Sequence, residues 1–364
     1  MNTSTTFKPS VFYHPGETLK EKLTELNMSV KEFAVRVSKP EKTIYAVING
    51  NSSVTPEMAV AFENVTKILA RFWLNEQRLY DEYIARMEKE KLMCTLANWA
   101  KQFPLTAMKQ MGWISYQNNN LGKVNALLSF FQFSSEKAWE NYYFNQQLKV
   151  TFRISLSTTK DPYAISAWLR QGEIQASNIH VVKYSKQALI KILPDIKNLC
   201  YRQPDDFKIK LQTVLATAGV KIIFTPSLPK APISGATRWI NNSPCVQLSG
   251  RYKRNDIFWF TLFHEIGHIL LHGKKEVFLE NVECENIQQD KETEADSFAS
   301  DILLSKINEQ EIVDNANFTK KAISMYAEKF KIHTGIIVGR LQHRGLLSYS
   351  QYPGLFAKVN LFDN

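Results

Sequence analysis

The chain has little cysteine. Its four residues, Cys94, Cys200, Cys245 and Cys284, lie far apart and form no C-x-x-C pair. That excludes a disulfide framework and a cysteine zinc site, and suits a reducing cytosol. No run of apolar residues is long enough to predict a membrane span. The segment Met1 to Ser10 is polar and lacks the apolar centre of a signal peptide. The expected location is therefore the cytoplasm, with no membrane partner. Glycine (14) and proline (13) are too sparse for a collagen-like or low-complexity chain. No internal repeat is visible, which excludes a solenoid.

What is present is globular. The 364 residues are 44% hydrophobic, 12% aromatic and 22% charged, enough for two or three domains at roughly 100–200 residues each. The formal charge of +10 fits nucleic acid or any acidic partner, so its distribution says more than its sign. Residues 1–80 carry only +2, whereas residues 255–314 form an acidic block of −10.

The pattern predicts a multidomain chain, with an all-α helix-turn-helix bundle over 1–90 and a helical connector over 91–160. An α+β domain with a small β-sheet follows over 161–314, then a helical tail over 315–364. Thr151 to Asp161 is polar and rich in Ser and Thr, the best linker candidate. Helices are expected at Ala164 to Gln171, Ser185 to Leu193, Phe207 to Thr217, Asp256 to His272 and Asp290 to Leu304. Strands are expected at Val220 to Thr225, Gly235 to Ile240 and Cys245 to Ser249.

Chemistry is concentrated in Phe263-His264-Glu265-Ile266-Gly267-His268, an H-E-x-x-H run. On a helix, residues four apart share a face, so His264 and His268 can present ring nitrogens to one zinc ion beside Glu265. A bare H-E-x-x-H also arises by chance in ordinary helices, so a third ligand is needed. His272 continues the series but stands about 12 Å along the helix from His264, too far to share a metal. The next helix offers Glu292 and Asp296 at i and i+4; one can bind metal while the other accepts an N–H from a ligating histidine. Glu294 points to another side. The sequence does not name an oxyanion stabiliser; Arg238 and Tyr252 are the candidates.

The stretch from about Ala164 to Leu304 resembles the ImmA/IrrE metallopeptidase family. The resemblance is carried by Trp168-Leu169-Arg170-Gln171-Gly172-Glu173, Ser234-Gly235-Ala236-Thr237-Arg238-Trp239, Phe258 to His268, and Glu292-x-x-Ala295-Asp296-x-Phe298-Ala299. It implies a gluzincin-like fold with Zn2+ as cofactor. Glu265 is the expected general base, His264, His268 and Glu292 the expected metal ligands, and Asp296 the expected carboxylate behind a ligand histidine. Several members cleave a helix-turn-helix repressor. The family often has Pro where Lys306 stands, which bears on where the second helix ends.

Residues 28–50 have helix-turn-helix spacing, with Val30 to Val37 and Glu41 to Asn49 as the two helices. Together with His14-Pro15-Gly16-Glu17, Thr55-Pro56-Glu57-Met58-Ala59 and Phe72-Trp73-Leu74-Asn75, they resemble the HigA-type antitoxin domain of the XRE class over about residues 14–83. Glu41, Lys42, Thr43 and Tyr45 are the exposed candidates for contact with operator DNA, with Lys42, Thr43 and Tyr45 expected to bind it. A second helix pair near Ala322 to His343 reads as a packing hairpin.

The expected function is a zinc-dependent endopeptidase fused to a DNA-binding domain. It would cut or control a regulatory protein, with a repressor or toxin as partner and a homodimer compatible with the pattern. The rival is a HigA-like antitoxin or repressor whose zinc domain senses or binds a partner without turnover.

Overall fold

The computed structural model describes residues 12–145, 161–231, 233–273, 278–279 and 289–362. The linker expected at Thr151 to Asp161 lies, apart from Asp161, outside them. The chain divides into two compact units, Met1–Leu96 and Ala97–Asn364.

The first unit is five helices: α1 (Pro15–Glu25), α2 (Val30–Arg36), α3 (Glu41–Ile48), α4 (Pro56–Thr66) and α5 (Ala70–Thr95). Short polar residues start three of them. His14 Nδ1 accepts from Gly16, Ser29 from Glu32 and Thr55 from Met58, each satisfying an amide that the first turn leaves unpaired. Leu19, Leu23, Phe33, Ile44, Val47, Phe62 and Trp73 close the core, and Phe33, Phe62 and Trp73 meet edge to face or tilted. Ser38, in the turn between α2 and α3, has φ +53, a left-handed conformation that glycine adopts without steric cost.

Gly16 fixes how α1 meets α3, because a Cβ there would collide with the Val47 carbonyl oxygen. Gly16→Ala is expected to cost this unit about 1–3 kcal/mol; a urea midpoint equal to wild type would show that the helices yield instead.

The second unit begins with short helices α6 (Ala97–Ala100), α7 (Leu105–Gln110), α8 (Asn120–Phe131) and α9 (Glu136–Glu140). They are held by an aromatic cluster of Trp99, Phe103, Phe131 and Trp139. Then come α10 (Pro162–Ser177), α11 (Lys186–Arg202) and α12 (Phe207–Thr217), followed by β1 (Lys221–Phe224), β2 (Gly235–Ile240) and β3 (Ser243–Leu248). Helix α13 (Asn255–Leu271), strand β4 (Phe278–Leu279), α14 (Gln289–Leu303), α15 (Lys306–Asp314), α16 (Lys320–Phe330) and α17 (Thr334–His343) complete it.

The sheet order is β1-β3-β2-β4, with β1 and β3 parallel and the other pairs antiparallel. A two-residue turn joins β2 to β3, and both of its residues, Asn241 and Asn242, have positive φ, the backbone that tight hairpins favour. Strand alternation then sorts the two faces. Val246 and Leu248 join α13 in the main core. Cys245 packs with Ala176 of α10, and Gln247 Nε2 donates to the Trp168 carbonyl.

Two helices outrun their expected ends, the first being α10, which continues past Gln171 to Ser177. Helix α11 runs through Pro194 to Arg202 rather than stopping at Leu193. Proline cannot bond the carbonyl four residues back, but that carbonyl belongs to Ile190 on the exposed face, where water can serve it. β4 was not expected at all. The absence of proline at Lys306 changes nothing, since α14 still ends at Leu303 and Ser305 caps α15.

α17 opens as α1 does. His333 Nδ1 accepts from Gly335 N at 3.0 Å, as His14 Nδ1 does from Gly16 N. A protonated Nδ1 cannot accept. Burial lowers both imidazole pKa values from 6.5, against the opposing pull of Asp81 on His14 and Asp256 on His333. The unfolded chain therefore takes up these protons first as pH falls. Their stabilisation is complete above pH 6.5 and is lost as pH drops through the lower folded values. The urea midpoint should fall between about pH 7.5 and about pH 5.5, and His14→Asn should flatten that slope; an unchanged slope would refute the assignment.

Candidate metal centre

Helix α13 is apolar on almost every face, and from Phe258 to Leu270 all but Phe260 are buried. Such a helix is stable only inside a core. It sits between the sheet and α14, and this places His264 and His268 one turn apart, each at most 2% exposed. Gly267 lets α14 approach closely, since a Cβ there would lie 3.3 Å from Ala295 Cα. The first turns of α14 then bring Glu292 over the two histidines.

One ligand atom each from His264, His268 and Glu292 lies within 4.8 Å of the others. His264 Nε2 is 2.9 Å from His268 Nε2 and 3.1 Å from Glu292 Oε2, and His268 Nε2 is 3.5 Å from Glu292 Oε1. The hydrogen-bond pattern assigns the tautomers. Asp296 Oδ1, at 2.8 Å, holds a proton on His264 Nδ1, leaving Nε2 with its lone pair. Glu294 Oε2, at 3.0 Å, holds a proton on His272 Nε2. His272 Nδ1 thus accepts from His268 Nδ1 at 3.0 Å, and His268 Nε2 is a lone pair as well. Two ring nitrogens and a carboxylate thus converge on one point, a donor set that a divalent cation fits.

The electrostatics agree. Burial first, then the neighbouring histidines, lower His268 to about 4 despite the opposing effect of Glu292. Burial pushes the Glu292 carboxyl up, but the two histidine rings outweigh it and hold it at about 2. Both groups therefore stand in the ligand-ready state at neutral pH.

Glu265 is fully buried against β2. A Cβ on Gly235 would lie 2.5 Å from Glu265 Oε1, and Thr237 Oγ1 donates to the Glu265 carbonyl at 3.1 Å. Glycine at 235 thus lets a strand backbone lie directly on the carboxylate. The oxyanion candidates fare differently. Arg238 is 3% exposed and turned to the α10 face, where it donates to Glu173, Gln247 and the Leu169 carbonyl. It is structural. Tyr252 is 44% exposed and lies under Arg251.

The sequence reading missed the His272–Glu294 relay and the Arg238 network. Gly172 signalled the second, since a glycine inside a helix marks a close approach; here Gln247 fills the space of the missing Cβ.

On α3, Lys42 and Tyr45 are exposed and Thr43 is half-buried, while Ile44 and Val47 face the core. α17 offers no comparable face. Gly335 to Val338, Leu341 and Gln342 are buried, consistent with the packing hairpin expected there.

Comparison with known proteins agrees with both halves. Residues 216–342 match the Peptidase_M78 family, described as the IrrE N-terminal-like domain. The uncharacterized HTH-type transcriptional regulator YddM of Escherichia coli K12 is 35% identical over 75 residues, 21% of this chain and 78% of that protein. An addiction-module antidote protein of the HigA family from Coxiella burnetii is 33% identical over 22% of this chain and 89% of its own, with a TM-score of 0.22. The Pseudomonas aeruginosa antitoxin HigA, solved with the higBA promoter, is 26% identical over 22% and 88%, with a TM-score of 0.21.

Proposed function

The chain belongs to the HTH-type regulators related to YddM and carries an ImmA/IrrE-like Peptidase_M78 domain, and from that premise we propose that it is a zinc-dependent endopeptidase. On this reading it acts in the cytoplasm, on a regulatory protein partner. The observation that carries the reading is the convergence of His264 Nε2, His268 Nε2 and the Glu292 carboxylate within 4.8 Å. A zinc ion there would supply Lewis acidity to a peptide carbonyl and to water.

The residues of the chain do the rest. His264, His268 and Glu292 hold the ion. Asp296 and the His272–Glu294 relay keep both imidazoles in the ligating tautomer. Glu265 takes a proton from water at its carboxylate and returns it to the leaving amine nitrogen. Its burial against Gly235 supports a carboxylate held in a fixed position by β2.

Asp296→Asn and His272→Ala should each weaken zinc binding about 10- to 100-fold, read by competition with a chelating dye. Wild-type affinity in both would remove the tautomer argument.

The DNA-binding half is assigned to α3. Lys42→Ala and Tyr45→Ala should each weaken operator binding by about 1 kcal/mol or more, and Lys42→Ala should also flatten its salt dependence. Thr43 is given a phosphate contact. An operator shift untouched by both substitutions would sink the assignment. A two-fold operator would require a homodimer.

The alternative, a HigA-like antitoxin or repressor whose metal domain binds a partner without turnover, draws on the exposed α3 surface and on the likeness to the regulator YddM. A co-encoded partner protein that stays intact with zinc-loaded wild type, yet binds it stably, would favour that reading.

A further inference from the structure

Residues 168–173 of α10 and 235–239 of β2 are distant in sequence, yet side chains bind the two runs together. Arg238 Nη1 donates to Glu173 Oε1 at 3.0 Å, and Nη2 donates to Gln247 Oε1 at 3.2 Å and to the Leu169 carbonyl. Gln247 Nε2 donates in turn to the Trp168 carbonyl at 2.8 Å, in the space that Gly172 leaves by having no Cβ. Arg238 is buried, and a buried guanidinium is costly unless an opposite charge and hydrogen bonds both compensate it. Glu173 supplies that charge.

Glu173 is shared. Its Oε2 accepts from Arg170 Nη1 at 2.8 Å, while Arg170 Nε donates to the Phe130 carbonyl at 2.9 Å. That carbonyl stands in the last turn of α8, where backbone acceptors lack a partner within the helix and a cation is favoured. Three charged side chains therefore run from the end of α8 through α10 to β2. The other face of β2 meets the candidate base. There Thr237 Oγ1 bonds the Glu265 carbonyl, and the Gly235 backbone lies so near that an added Cβ would stand 2.5 Å from Glu265 Oε1. β2 is thus held between α13 on one face and charge-assisted, directional bonds on the other.

We propose that Arg170, Glu173 and Arg238 are positioning residues for Glu265. They fix the distance of β2 from its carboxylate, with the end of α8 as their anchor. The proposal rests on the peptidase reading for its effect on rate, but not for its effect on β2. Arg238 points away from Glu265 and touches no reacting atom; it acts through the strand. A strand released from the network leaves the carboxylate more than one orientation, and a general base works only within hydrogen-bond reach of its proton. The grouping of His264, His268 and Glu292 uses no atom of β2. Metal affinity should therefore survive a break in the network that slows the reaction.

The test uses the full chain carrying Glu173→Gln, which keeps the shape of the side chain and removes its charge. Arg170→Gln is a milder break at the α8 end, should the first variant fail to fold. In metal-free protein, amide exchange read by mass spectrometry should quicken about tenfold over residues 233–240 and keep the wild-type rate over 258–270. Zinc content should match wild type. With a co-encoded partner protein as substrate, kcat should fall about tenfold while KM stays unchanged. In the Glu265→Gln background the same substitution should cost nothing further, because a network that acts through the base has nothing to position once the base is gone. Exchange over 233–240 equal to wild type would overturn the proposal, as would the same fold loss of cleavage in both backgrounds. Quickened exchange with no cleavage by wild type would remove the peptidase and leave the hold on β2 standing.

Discussion

Glu265→Gln should hold as much zinc as wild type, about one ion per chain being expected of both, and lose cleavage by about 10²- to 10⁴-fold. The glutamine keeps the shape of the side chain in its space against Gly235, so folding should be nearly unchanged. What it loses is the ability to accept a proton. Zinc content is read by mass spectrometry of the metal, and cleavage by gel on a co-encoded partner protein. Equal cleavage by wild type and variant would exclude Glu265 as the base. Loss of zinc in the variant would make the carboxylate a ligand, contrary to the grouping of His264, His268 and Glu292.

His268→Ala should take zinc from about one per chain to almost none, with His264→Ala and Glu292→Ala behaving alike. Three protein ligands and an open position define a hydrolytic zinc site, and two ligands hold the ion far more weakly. The decisive comparison lies on α14. Glu292→Ala should lose the metal, while Glu294→Ala, which only unbinds His272, should weaken it and no more. The reverse order would overturn the choice of third ligand. Chelation of wild type should reproduce the ligand variants in every assay, including the loss of cleavage.

Much of this centre was legible before any coordinates. Residues four apart on one helix must share a face, so His264 with His268, and Glu292 with Asp296, follow from sequence spacing. Strands β1 to β3 were expected from local pattern, with β3 starting at Ser243 rather than Cys245. Arg238 was misread because a cation near a proposed carbonyl site looks available until strand alternation is applied. Thr237 bonds the Glu265 carbonyl, and its neighbour must then face the opposite side of the sheet, toward Glu173. The His272 relay was missed for a different reason. Distance along the helix disqualifies His272 as a ligand, but it says nothing about a ring that reaches back to Nδ1 of His268. β4 spans two residues whose pairing with Ala236 and Thr237 is long-range, so local pattern could not reveal it.

The two helices that supply the ligands differ in one respect with a kinetic consequence. α13 is enclosed by the core, whereas in the first turns of α14 Glu292 is half-buried and Thr293, Glu294 and Asp296 are exposed. Amides of α13 should exchange with solvent only on global opening, and those at the start of α14 through local fraying. Exchange of the ion would then follow the fraying of α14, with His264 and His268 left in place as a half-built socket. Its escape rate would be set by a few hydrogen bonds at one helix end and would be nearly independent of the unfolding rate of the domain.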